Sequence, residues 1–62
     1  MTMRMITARF TQDGPDWLAE MVDEPRVHSF GRTLEQAKRM ILAAAAVWYD
    51  LEVGDLQLAP AA

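Results

Sequence analysis

Arg32–Leu51, RTLEQAKRMILAAAAVWYDL, is the one segment long and periodic enough to be read as an amphipathic helix without further context. Thr33 can cap the first turn with its hydroxyl. Gln36, three residues on, can reach back to the Thr33 amide in a capping box. Gly31 supplies a permissive backbone for the turn that enters the helix. Winding at 3.6 residues per turn gathers Leu34, Ala37, Met40, Ile41, Ala44, Ala45, Val47, Trp48 and Leu51 on one arc. Glu35, Gln36, Arg39 and Asp50 lie opposite. Leu42, Ala46 and Tyr49 interrupt the polar side and form a small outer ridge. The helix is expected to end near Leu51 or Glu52, with Gly54 punctuating its exit.

Upstream of this helix the period changes to two. Met3–Thr11 reads as a strand with Ile6, Ala8 and Phe10 turned toward the helix. Gln12–Asp16, QDGPD, is a turn of hairpin length. Trp17–Val22 is the second strand, with Trp17, Ala19 and Met21 assigned to the core because Glu20 stands on the other face. Asp23–Arg26, DEPR, is a second turn, and Pro25 has no amide to continue a ladder. Val27–Gly31 follows as a short third strand, with Val27 and Ser29 inward and His28 and Phe30 outward. After the helix, Asp55–Leu58 can form a last strand parallel to the first, reached by a right-handed crossover and ended by Pro60. Residues 59–62 read as a frayed tail. The expected class is α+β, in the order β-β-β-α-β: a three-stranded antiparallel sheet, one covering helix and a short C-terminal strand.

One domain fills the 62 residues, and a chain this short buries only about 60% of the surface its unfolded form exposes. Such domains commonly lean on disulfides, a metal or association. There is no cysteine and only one histidine, so disulfides and thiolate metal sites are excluded and no cofactor is expected. Homo-oligomerisation or a protein partner is the expected supplement. The net charge is −3 and the pI about 4.8, the wrong sign for gripping phosphates. No apolar run reaches membrane-spanning length, and MTMRMITARF at the N-terminus has no signal-peptide pattern, so a cytoplasmic location is expected.

One helix covers one sheet face. The opposite face would carry Met5, Thr7, Arg9, Leu18, Glu20, Val22, His28 and Phe30. Met5, Leu18, Val22 and Phe30 are too apolar for a fully wetted surface and mark a candidate protein interface. Leu42 and Tyr49, on the ridge outside the helix arc, are a second candidate contact. The acids Asp13, Asp16, Glu20, Asp23 and Glu24 cluster in the first half of the chain. Catalysis by them would need convergence on metal ions, whereas four of the five fall in turns, where acids are ordinary. His28 has no adjacent nucleophile or orienting acid. Ser29 sits in no nucleophile elbow, and the glycines make no phosphate loop. Arg26, Arg32, Lys38 and Arg39 are the one basic concentration, and they read as a solvated face.

DWLAEM, then PRVHSFGRTLEQA, then a helix closing on an aromatic-acidic-leucine end, resembles the HicB-like antitoxins. The matching elements are Trp17-Leu18-Ala19, Pro25, Val27-His28-Ser29-Phe30-Gly31 and Thr33-Leu34-Glu35-Gln36-Ala37, within a span from Ile6 to Leu58. The resemblance implies a partially degraded RNase H-like fold and a non-enzymatic role: neutralising a small HicA-type, mRNA-cleaving toxin by direct binding, with self-association into dimers or larger assemblies. Asp13, Asp16, Glu20, Asp23 and Glu24 would then present an acidic surface to the toxin's basic face. Longer members append a DNA-binding segment. A chain ending at Ala62 has no room for one, so no direct DNA binding is expected. Two other readings stay open: a HicB-like homo-oligomeric scaffold or small-ligand module without a toxin, and a residual RNase H-like nuclease.

Overall fold

The computed structural model describes residues 3–59, in the order β1 (Arg4–Ile6), β2 (Ala8–Asp13), β3 (Asp16–Met21), β4 (His28–Gly31), α1 (Leu34–Tyr49), a 3-10 turn (Val53–Asp55) and β5 (Leu56–Leu58). The class is α+β, as expected: β2, β3 and β4 form an antiparallel sheet under one helix, and β5 runs parallel to β1. The expected first strand is two strands that share one extended chain. The Ile6 carbonyl accepts from Ala59 N–H at 2.8 Å and the Thr7 carbonyl from Val22 N–H at 3.0 Å. Successive carbonyls of an extended chain point to opposite edges, so the chain changes partner from β5 to β3 at Thr7. Ala59 is thereby tied to β1 rather than frayed. The rest of the expected tail, with the Pro60 stop, lies outside the described residues.

β2 and β3 are joined by a tighter hairpin than the sequence suggests. Asp13 pairs with Asp16 and only Gly14-Pro15 intervenes. Gly14 has φ +63°, the positive value that a type II′ hairpin turn requires at its first position. At the other end of β3 the chain turns through Val22–Val27. Val27 N–H donates to the Glu24 carbonyl at 2.9 Å, and the Glu24 carboxylate takes Arg26 Nε at 2.8 Å and Nη2 at 3.0 Å.

The helix starts where its sequence signal places it. Thr33 Oγ1 accepts from Gln36 N–H at 3.0 Å. The reciprocal bond differs: Gln36 Oε1 takes the Arg32 amide, at 2.7 Å, and not that of Thr33. Gly31 serves close packing and not an unusual backbone. A Cβ there would collide with the Ala37 backbone, standing 2.8 Å from its Cα. The helix ends at Tyr49, earlier than expected. Asp50 takes the left-handed position at φ 56°, and Leu51 N–H reaches back to the Ala46 carbonyl at 2.8 Å, a Schellman closure without glycine. Gly54 sits in the 3-10 turn instead.

The core joins Ile6, Ala19, Met21, Val27 and Leu56 to Ala37, Ile41, Ala45 and Ala46, with Phe10, Trp17, Leu42, Tyr49 and Leu58 packed against it. The inward face of α1 is therefore rotated from the expected arc. Ala46 is buried, Leu42 and Tyr49 pack on the core, and Met40, Val47, Trp48 and Leu51 are exposed. The physical reason is the sheet's asymmetry. β1 and β5 extend it on one side, and the helix touches β5 there. On the other side the sheet stops at β4, so side chains turned that way overhang its edge. Among the described residues no helix is long and apolar enough to cross a membrane.

Candidate functional site

The uncovered sheet face is built in cross-strand rows. Thr11, Leu18 and Phe30 form one row, and Arg9, Glu20 and His28 the next; Val22 stands beside Thr7, and Met5 lies further along the same face. Strand alternation sends all of them away from α1. Met5, Val22 and Phe30 are 53%, 44% and 51% exposed, and Leu18 is half-buried between its row neighbours. Arg9 Nη1 lies 3.8 Å from Glu20 Oε1. The His28 ring meets Phe30 edge to face, with centroids 6.5 Å apart, and its Nδ1 lies 3.2 Å from the Arg26 carbonyl oxygen. The face is thus an apolar band crossed by one polar row. It offers apolar contact on both sides of that row.

Four of the six expected interface residues, Met5, Leu18, Val22 and Phe30, share this face. The other two do not. Leu42 and Tyr49 are half-buried against the core on the rotated helix, and Ala46 between them is buried, so they lie apart from the sheet face. Tyr49 is further occupied by Arg4, whose guanidinium lies 3.9 Å from the ring centroid.

The five acids do not form one surface either. Asp13 and Asp16 stand across the hairpin end from each other, while Asp23 and Glu24 lie beyond the opposite end of β3. At 3.3 Å per residue the two ends of β3 are about 17 Å apart. Glu20 lies between them and faces Arg9. Through its side-chain bond, the Arg26 guanidinium holds the exposed Glu24 carboxyl below its ordinary range. A two-ion nuclease needs its carboxylates within one coordination sphere, and carboxylates spread over such a distance lend that reading no support. Among the described residues no group of three or more His, Asp or Glu could hold a metal ion.

The basic residues are dispersed as well. Lys38 pairs with Glu35 at 3.7 Å, and the Arg26 guanidinium lies 5.1 Å from the Trp48 ring centroid. Two grooves escaped the sequence. One, of about 540 Å³, runs between Ala8, Phe10, Trp17, Leu34 and Leu58, with Lys38 at its rim. The other, of about 340 Å³, lies along β4 among Arg26, Val27, His28, Ala44, Val47 and Trp48. Val47 is 84% exposed and Trp48 is 48% exposed. A signal for this was present: three consecutive large residues, Val47-Trp48-Tyr49, span about 200° of helix and cannot all face inward.

Compared with protein-family models, curated proteins and solved structures, the chain matches none.

Proposed function

We propose that the protein is a protein-binding module of the antitoxin kind, which neutralises a small HicA-type, mRNA-cleaving toxin by covering its RNA-binding face. The observation that carries this is the uncovered sheet face with Phe30, Leu18, Val22 and Met5 across it. Apolar surface held open on a rigid sheet is what a partner buries. Phe30 and Leu18 supply the apolar contact on one side of the polar row, and Val22 and Met5 on the other. Asp13 with Asp16, and Asp23 with Glu24, stand at the two ends of that band. A basic toxin surface laid along the strands would meet apolar contact on both sides of the Arg9–Glu20–His28 row and negative charge at both ends. The net charge of −3 would speed such an encounter.

Co-expression with the toxin encoded beside this protein tests the proposal. Growth is expected to be restored and a complex to survive gel filtration. Val22→Lys, on the exposed face and away from the core, is expected to weaken the complex by about tenfold or more. Absence of a complex with the unaltered chain, or of any toxin gene beside it, would overturn the proposal. The alternative, a self-assembling HicB-like scaffold without a toxin, is favoured by a different feature, the open edge of β4.

A further inference from the structure

β4 is the last strand of its sheet, and its backbone says which atoms it leaves unpaired. Met21 N–H donates to the Val27 carbonyl at 3.0 Å, so Met21 and Val27 face each other as a hydrogen-bonded pair. Such pairs alternate along an antiparallel ladder. Ser29 and Gly31 therefore bond inward to Ala19 and Trp17, and the N–H and C=O groups of His28 and Phe30 point to the open edge. An exposed edge of this kind is a template for another strand.

The same edge is flanked by apolar side chains on both faces. Phe30 lies on the outer side. On the helix side, Met40 lies near Phe30 and Gly31, and Val47 with Trp48 lies near Val27 and His28. The helix thus runs antiparallel to the strand, with exposed apolar groups at both ends of the overhang.

We infer that a second copy of this chain occupies this edge, by antiparallel pairing of β4 with its mate about a two-fold axis at Ser29. Of the registers that meet two constraints, the one centred on Ser29 is the one that pairs both His28 and Phe30 within β4. Facing residues must lie on the same side of the sheet, and the outward-pointing backbone groups must meet each other. Placing Ser29 opposite the partner's Ser29 does both. His28 then exchanges two hydrogen bonds with the partner's Phe30, and the symmetry repeats them. The histidine and phenylalanine rings that already meet within one chain also meet across the axis. On the helix side, Met40 comes opposite the partner's Val47 and Trp48, a sulfur–aromatic contact made twice. α1 rests mainly on β4 and β3. Two such helices, separated by one strand spacing plus half a spacing on each side, lie about 10 Å apart, a packed interhelical distance. Beyond the strand, Arg32 approaches the partner's Glu24–Arg26 ion pair, which is neutral as a unit. The product is a six-stranded sheet with both outer faces on the same side, and pairing leaves Leu18, Val22 and Met5 of each face open.

Sedimentation across a dilution series tests the pairing. The unaltered chain is expected to show twice its 7.0 kDa mass. Val47→Glu, at a position 84% exposed in the monomer, is expected to raise the dimer dissociation constant about tenfold or more without loss of helical signal. Val22→Lys is expected to leave the dimer intact, which separates this surface from the toxin-binding face. Facing residues of a pair without hydrogen bonds have Cα atoms about 4.5 Å apart, within disulfide range. Since the chain has no cysteine, Ser29→Cys is expected to give a reducible covalent dimer on mild oxidation, and Thr11→Cys is not. A monomeric mass throughout, a dimer indifferent to Val47→Glu, or cross-linking at Thr11→Cys but not at Ser29→Cys would overturn the inference.

Discussion

Gly31 and Asp50 mark the two ends of the helix, and each resolves a conflict between sequence and space. At Gly31 the strand passes so close to the first turn of α1 that no side chain fits. Gly31→Ala is expected to destabilise the fold by about 1–3 kcal/mol in urea unfolding, the usual range for forcing a carbon into filled space. Asp50 holds a left-handed backbone that glycine would adopt more easily, which hid the helix end from a reading that looked for Gly54. The Thr33 cap was legible because a hydroxyl followed by an amide three residues later has few other readings. At Glu24 the carboxyl is depressed below its usual value of about 4.5 by Arg26. Its contribution is therefore in place above that pH and is lost as pH falls through the lowered value. Because the pair is exposed the effect on stability is small, but the carboxyl's titration by NMR is expected to return to the ordinary range in Arg26→Met.

The same logic governs whole elements. Strand alternation in β3 and β4 could be read directly, since Glu20 and His28 each mark the solvent side of their strands. The division of the first strand could not, because its cause is the position of β5, which is remote in sequence. Nor could the phase of α1. Ala43–Ala46 weigh little in a hydrophobic pattern, and the large residues around them allow more than one arc. Only the width of the sheet beneath decides that Ala46 faces in and Val47 out. Ala46→Glu is expected to cost on the order of 2 kcal/mol or more by placing a carboxylate in the core, while Val47→Glu leaves monomer stability nearly unchanged. Equal effects in thermal melts would contradict the rotated face.

For the whole molecule, a single helix on a one-layer sheet leaves a broad face and a free edge, and these are separate opportunities. The apolar residues of the face were legible in the sequence because alternation alone exposes Val22 and Phe30. The β4 edge and its overhang were not, since Met40, Val47 and Trp48 fall on the apolar arc that helical periodicity turns toward the core. The acids looked like one cluster in sequence, yet β3 carries them to opposite ends of the sheet. The central claim is that the open sheet face is the binding surface. The most direct measurement is a two-dimensional amide NMR titration of the labelled chain with a HicA-type toxin. Shifts are expected to concentrate at Arg9, Leu18, Glu20, Val22 and Phe30. Shifts confined to Met40–Trp48 of the helix, or none at saturating toxin, would contradict the account.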